Sequence, residues 1–291
     1  MGLRISIFML GVAITLLLPA HAQKISSPIK TGDLSPQEVI QDLAQANVVY
    51  LGETHDSAED HKAQLDIIQQ LYQKDPRMAI GMEMFQRPYQ TVLDNFLQGK
   101  LTEAALQKKS QYEKRWGYPW ENYAPVLQFA KEKQLPVLAL NTPSEVTKKV
   151  SRKGLNSLGA ADRKFIPPLS EIRTDNLKYR KSLQEVYAGF HKKGKSKDPQ
   201  QFERFFQAQV LWDETMADVI TQFLRRNPES YVVVLAGQGH IIYGYGIPSR
   251  VARRINSISV KAVVQRSVLL NPTEKYPQEK SRIADYFWNN R

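Results

Sequence analysis

The chain has no cysteine among its 291 residues. This absence excludes disulfide bonds, thiolate metal sites, cysteine nucleophiles and the lipid-modified cysteine that anchors a lipoprotein. An exported protein without disulfide bonds must be stabilised by its hydrophobic core. The roughly 270 residues that follow the N-terminal segment are enough for one large α/β domain.

Several signatures of common enzymes and binding proteins are also missing. No serine lies in a nucleophile elbow, which disfavours a serine hydrolase. The helix motif of the zincin metalloproteases is also absent. The segment Gly237-Gln238-Gly239-His240 lacks the lysine of a P-loop and the third glycine of a dinucleotide-binding loop. We interpret its glycines as allowing a tight turn that directs His240 back toward the sheet.

The net charge of +11 is dispersed along the sequence. Its densest run, residues 191–197, has the composition of a surface loop. We interpret this run as a solvated loop and expect no nucleic-acid partner. A positive exterior can nevertheless attract an anionic ligand or a membrane surface.

The first 22 residues have the pattern of a secretory signal. Arg4 precedes an apolar stretch from Ile5 to Leu18, and Ala20 and Ala22 place small residues at the cleavage positions. The alternative, an uncleaved membrane anchor, needs about 20 apolar residues, more than this stretch provides. We therefore expect export and cleavage after Ala22.

Short apolar runs alternate with segments of helical periodicity along the rest of the chain. The runs lie at 48–52, 78–82, 136–140, 232–236 and 259–264. Each has the length of a buried strand, and the periodic segments between them predict helices. We therefore expect an α/β fold, a mostly parallel sheet with flanking helices and a helical insertion or lid.

The same patterns predict the domain organisation. After the signal peptide at 1–22 we expect a flexible lead-in at 23–34 and a single domain at 35–270. Residues from about 144 to 230 lack strand signals and should form the helical insertion. Residues 271–291 are polar and are expected to be an irregular tail.

Polar side chains follow three of the predicted strands at the point where each strand ends. Glu53 and His55 come directly after the first run, and Glu83 ends the second. His240 follows the run that stops at Ala236. In open parallel sheets, ligands bind outside the carboxyl ends of the strands. We therefore expect these four side chains to share one pocket.

The composition of this set leaves its chemistry open. Two carboxylates and two imidazoles suit either a divalent metal such as zinc or manganese, or general base catalysis without a metal. Helix capping by His55 is the structural alternative. His61 lies farther along the predicted helix, and we expect it to be a partly exposed surface histidine.

Aromatic residues form a second theme. Five of them fall within twelve residues: Tyr112, Trp116, Tyr118, Trp120 and Tyr123. Packing within a helical lid is the simpler interpretation, because aromatic side chains dominate protein cores. Exposed rings above a polar site would instead suit a flat, apolar ligand.

Four motifs together resemble the ChaN family, bacterial iron-regulated proteins described as haem-binding within the haem-binding-uptake and Tiki grouping. The motifs are Leu51-Gly52-Glu53-Thr54-His55, Gly81-Met82-Glu83-Met84-Phe85, residues 209–217 (QVLWDETMA), and Gly237-Gln238-Gly239-His240 with Gly246-Ile247-Pro248-Ser249-Arg250. The resemblance extends from about Asp42 to Gln265. Each motif alone would be weak, but four in this order are specific.

The resemblance implies haem held between two protomers of a homodimer. One protomer would supply an iron-ligating tyrosine, and a histidine and a lysine of the other would contact the propionates. A phenolate oxygen is a known ligand of haem iron, and our candidates are Tyr243, Tyr118 and Tyr123. The lack of a second apolar span predicts a mature protein that is soluble or peripheral to a membrane. The signal pattern and the resemblance together imply the bacterial periplasm and a contact with a membrane or an uptake system.

Two functional hypotheses result. The first is an exported protein that binds haem or iron, or another flat ligand, in iron uptake or storage. The second is a metal-dependent hydrolase, because the wider grouping includes Tiki proteases and erythromycin esterases. In that hypothesis His55, Glu83 and His240 would bind a divalent metal, or Glu53 or Glu83 would act as the general base.

Overall fold

The computed structural model describes residues 24–28, 30–190, 199–256, 262–272 and 282–289. The predicted signal peptide, the lysine-rich run at 191–197 and the first half of the predicted strand at 259–264 lie outside these ranges. In the described ranges, no helix combines the length and the apolar character that a membrane span requires.

A single eight-stranded sheet forms the centre of the molecule. The strands are β1 Lys24–Ser27, β2 Lys30–Leu34, β3 Val48–Glu53, β4 Met78–Gln86, β5 Val137–Asn141, β6 Tyr231–Gly237, β7 Gln265–Leu270 and β8 Tyr286–Asn289. Their order across the sheet is β2-β1-β8-β7-β3-β6-β4-β5. All neighbours from β8 to β5 are parallel, whereas β1 is antiparallel to both β2 and β8. The predicted mostly parallel sheet is confirmed.

Ten helices of the described residues cover the sheet. They are α1 Pro36–Leu43, α2 Ala58–Lys74, α3 Gln90–Leu97, α4 Glu103–Ser110, α5 Tyr112–Arg115, α6 Ala124–Glu132, α7 Ser144–Lys153, α8 Leu177–Phe190, α9 Pro199–Arg226 and α10 Ile247–Asn256. Helix α1 begins at a capping box, in which Ser35 and Glu38 each accept the other's backbone N–H.

Burial explains why the strands appear as continuous apolar runs. Every residue of β3, β4, β5 and β6 is buried, because helices cover both faces of the parallel sheet. Separate apolar clusters fill the two faces. A third cluster lies within the helical insertion, where α7 and α8 pack against α9.

The two ends of the described chain differ from the sequence-based expectations. The predicted flexible lead-in contains β1 and β2, and the predicted irregular tail contains β8. Ile25 of β1 pairs with Trp288 of β8, and neither side chain is exposed. These strands have four or five residues and polar neighbours, so no periodic signal could form. The last long strand is β7, which begins at Gln265, beyond the predicted 259–264.

Candidate functional site

The carboxyl ends of three adjacent strands form the candidate site. Strands β3, β6 and β4 are neighbours and run in the same direction, so their last residues meet at one edge of the sheet. Glu53 at the end of β3 is in register with Gly237 at the end of β6. The structure thereby brings together all four polar residues that the sequence places at strand ends.

Glu53 organises one half of the site. Its side chain is fully buried, and Oε1 lies 2.8 Å from Nδ1 of His55. The hydroxyl of Tyr123 donates to Oε1 at 2.7 Å, and the amide of Gln64 donates to Oε2 at 2.6 Å. A carboxylate only accepts hydrogen bonds, so Nδ1 of His55 donates the proton. Nε2 of His55 is then the nitrogen that faces away from Glu53.

The start of helix α2 fixes the backbone around His55. Nε2 of His61 lies 3.0 Å from the carbonyl oxygen of His55, and Asp60 accepts the N–H of Thr54 at 2.8 Å. Both side chains are buried, with His61 only 5% exposed. The prediction of a partly exposed His61 is therefore wrong. Helix α2 starts directly beside the strand ends, so its first turn faces the site.

Glu83 and His240 form the other half of the site. Glu83 accepts the N–H of Gly237 at 2.8 Å, and Nε2 of His240 lies 3.4 Å from its second oxygen. Burial raises the pKa of Glu83, but the charges of His240 and His55 outweigh burial and hold the pKa well below its usual range.

Asp213 is a functional residue that the sequence reasoning did not single out. Its Oδ1 lies 2.7 Å from Nδ1 of His240, and Tyr179 of the insertion donates to Oδ2 at 2.6 Å. Burial lowers the pKa of His240, yet the carboxylates of Glu83 and Asp213 raise it overall. The available signal was the motif at 209–217, where a carboxylate among apolar residues of a helix needs a buried partner.

Two glycines leave room for the site histidines to pack closely against the backbone. A Cβ at Gly237 would lie 2.9 Å from Cε1 and 3.0 Å from Nε2 of His55, so the imidazole packs directly on this backbone. A Cβ at Gly246 would lie 2.2 Å from the carbonyl oxygen of His240. Nε2 of His55 and Nε2 of His240 thus both lie near Glu83, and each ring is held through Nδ1 by its own carboxylate. This arrangement can accept, donate and relay protons.

A segment of aromatic residues, 111–123, covers the His55 side of the site. The ring of His55 lies 4.8 Å from that of Trp116 and 4.9 Å from that of Tyr118. Gly117 has a φ of +84°, a left-handed conformation that reverses the chain between these two rings. Tyr112 and Tyr123 are buried in the core, as the packing interpretation predicts for part of the segment.

The three candidate haem-ligating tyrosines have different surroundings. Tyr118 is 36% exposed, whereas Tyr123 is fully buried and its hydroxyl is bonded to Glu53. Burial and the charge of Glu53 raise the pKa of Tyr123, which opposes a phenolate there. Tyr243 is half-buried at a left-handed backbone position, and its ring stacks on that of Tyr245 at 5.3 Å.

The donor set does not form a metal centre. Within the residues that the structure describes, no group of three or more His, Asp or Glu side chains is arranged to hold a metal ion. Both Nδ1 atoms of the site histidines contact carboxylates, which leaves their Nε2 atoms as the nitrogens that could meet a ligand. The metal ligands expected under the hydrolase hypothesis lie close together, but among the described residues they do not form a coordinating group.

Comparison with known proteins identifies the family. Residues 39–251 match the family described as haem-binding uptake, Tiki superfamily, ChaN. The chain belongs to this family. The resemblance predicted from the four motifs is confirmed.

One solved structure shares the fold of this chain, and two other proteins resemble it more distantly. A structure of cofacial haem binding to ChaN of Campylobacter jejuni has a TM-score of 0.71 at 19% identity, covering 91% of this chain and 96% of that one. An erythromycin esterase mutant in its open conformation has a TM-score of only 0.46 at 14% identity, covering 87% of this chain and 78% of that one, which is too distant to inform function. Protein RETICULATA-RELATED 5, chloroplastic, of Arabidopsis thaliana is 26% identical over 92% of this chain, which spans 37% of that protein.

The packing of His55 on Gly237 can be tested with a pair of glycine variants. We expect Gly237→Ala to displace the imidazole and to destabilise the fold by about 1–3 kcal/mol, as overpacking does. Gly239→Ala is the control, because no atom lies within 4 Å of its added Cβ, and we expect less than about 0.5 kcal/mol. Denaturant unfolding and the NMR signals of His55 measure both effects. Equal behaviour of the two variants would contradict the described packing.

Proposed function

We propose that this protein binds haem on the surface formed by Trp116, Tyr118 and His55, with Tyr118 as the iron ligand. The observation that carries this proposal is the exposure of Tyr118 beside the polar site. Tyr118 is one of three large hydrophobic side chains that are exposed in the described residues. The membership of the chain in a family described as haem-binding supports a flat ligand such as haem.

The residues present fit the needs of haem. A porphyrin requires an apolar surface of aromatic rings, and Trp116 and Tyr118 provide one, with ring centroids 5.5 Å apart. A phenolate oxygen is one of the protein ligands that hold haem iron, and the exposed Tyr118 is accessible to a porphyrin. The side chain of His55 is 25% exposed next to these rings, and in its protonated form Nε2 can donate to a propionate. Tyr123 lacks this access, so Tyr118 is the better ligand.

The cellular role that we propose is iron uptake or storage by an exported protein. The signal pattern at residues 1–22 supports export, and the family description includes uptake. We further propose that the haem surface is completed by a second copy of the chain. A haem that rests on the exposed Tyr118 from one side needs cover on its other face to exclude water.

Haem titration of Tyr118 variants tests this proposal. Tyr118→Phe removes only the phenolic oxygen, so we expect loss of the high-spin ferric spectrum that the wild-type protein gives with haemin at micromolar concentration, a free energy of roughly −8 kcal/mol. Tyr72→Phe is the matched control, since Tyr72 lies at the opposite edge of the sheet. Loss of the spectrum in Tyr243→Phe alone would reassign the ligand, and no binding of haemin at all would reject the function.

A hydrolase is the second candidate, and the paired imidazoles favour it. In this candidate Nε2 of His55 takes a proton from water while Glu53 holds the ring, and the water oxygen attacks the carbonyl carbon of the substrate. The protonated His240 donates a hydrogen bond to the developing oxyanion, and the proton on His55 passes to the leaving group as its bond to that carbon breaks. No step is routed through a metal ion, because the donor atoms have no coordinating geometry.

Histidine variants separate the two candidates. If the protein is a hydrolase, His55→Ala and His240→Ala should each reduce turnover of a chromogenic ester or peptide on the order of 100-fold or more, and a chelator should have no effect. Tyr118→Phe is the control and should retain turnover. Absence of any turnover across such substrates, or equal losses in all three variants, would exclude this candidate.

A further inference from the structure

The positive charge of the chain is concentrated in one segment of the sequence. Residues 144–198, from the start of α7 to the start of α9, contain fourteen Lys and Arg but six Asp and Glu, a net charge of +8. The whole chain carries +11, so the other parts are close to neutral. The expectation of dispersed charge from the sequence is therefore wrong. Uneven charge of this kind indicates an anionic partner.

Many of these cations are free to face a partner. Five are exposed and form no ion pair with another described residue: Lys148, Arg152, Lys153, Lys178 and Lys181. Carboxylates of the insertion neutralise only a minority, as in the pairs Lys149–Asp162 and Arg180–Glu203. The unpaired cations belong to helices α7 and α8, which both pack on α9 and contribute to one apolar cluster, so their exposed side chains lie on the outside of the insertion.

An exposed apolar residue accompanies this charge. Leu177 at the start of α8 is 77% exposed, the highest exposure among the three large hydrophobic side chains that are exposed in the described residues. It stands next to Lys178 and one helical turn from Lys181, so Leu177 and Lys181 share one face of the helix. Val186, also exposed, lies two and a half turns farther along and therefore on the opposite side.

We propose that the helical insertion docks on an anionic phospholipid bilayer through the outer surfaces of α7 and α8. Lysines would contact the headgroup phosphates, while Leu177 enters the boundary between headgroups and acyl chains. The charge alone would also suit a nucleic acid, but a nucleic-acid backbone offers nothing to an isolated exposed leucine. The inference does not depend on whether haem is the ligand, because none of these residues belongs to the candidate site.

Vesicle sedimentation with the full chain tests the proposal. The probes are vesicles of phosphatidylcholine containing 30% phosphatidylglycerol, and vesicles of phosphatidylcholine alone. Replacing Lys148, Lys153 and Lys181 by Gln should weaken binding to the anionic vesicles on the order of 100-fold, since each cation near such a surface contributes about fivefold. The control replaces the exposed Lys74, Lys100 and Lys108 by Gln, which removes the same charge outside the insertion.

Leu177→Ser distinguishes a bilayer from other anionic partners. It should weaken binding to the anionic vesicles about fivefold or more, since it removes apolar area from the membrane boundary. All substituted positions are exposed, so circular dichroism should show an unchanged fold. The proposal is overturned by failure to bind the anionic vesicles, by equal binding to the neutral ones, or by equal losses in the two triple variants. Tighter binding to single-stranded RNA that Leu177→Ser leaves unchanged would assign the surface to nucleic acid instead.

Discussion

The carboxylate of Glu53 is the interaction on which the rest of the site depends. Its three buried hydrogen bonds come from three different elements: the loop after β3, helix α2 and the aromatic segment. Each bond to a charged acceptor contributes about 1.5–3 kcal/mol, and the cost of leaving such a group unpaired is larger. Glu53 therefore fixes the orientation of His55 and also holds the segment that carries Tyr118 against the sheet. A single carboxylate links the polar site to the proposed haem surface.

The second histidine has an equivalent support from the other side of the molecule. Asp213 of α9 holds His240, and Tyr179 of α8 holds Asp213. The two histidines are thus fixed by separate layers of the structure and meet only at Glu83. The two sides of the helical insertion consequently differ in role. Its inner side supports the site, and its outer side carries the unpaired positive charge.

The site residues that the sequence predicts are those that follow an apolar run in the sequence. Glu53, Glu83 and His240 each follow an apolar run, and the rule that parallel strands end at a common edge brings them together. Asp213 and Tyr179 lie within helices, where periodicity shows that a residue is buried but not which partner it meets. Contacts between distant helices depend on packing that no short window contains. The same limitation applies to β8, whose four residues become a strand only beside β7.

The aromatic segment shows a different limit of sequence reasoning. Tyr118 and Tyr123 are five residues apart in a crowded stretch, yet one is exposed and the other is fully buried. The left-handed Gly117 and the hydrogen bond between Tyr123 and Glu53 decide which ring faces outward. Composition could show that aromatic rings gather near the site. Only the backbone geometry shows which ring a ligand can reach.

The protonation of His55 is the most direct measurement of this arrangement. In protein with ¹⁵N-labelled histidine, we predict that Nδ1 of His55 carries a proton at every pH at which the protein is folded, because Glu53 accepts it. Glu53→Gln should remove this preference while the signals of His240 keep their wild-type positions. A neutral His55 with its proton on Nε2, or a tautomer that Glu53→Gln leaves unchanged, would contradict the central role of Glu53.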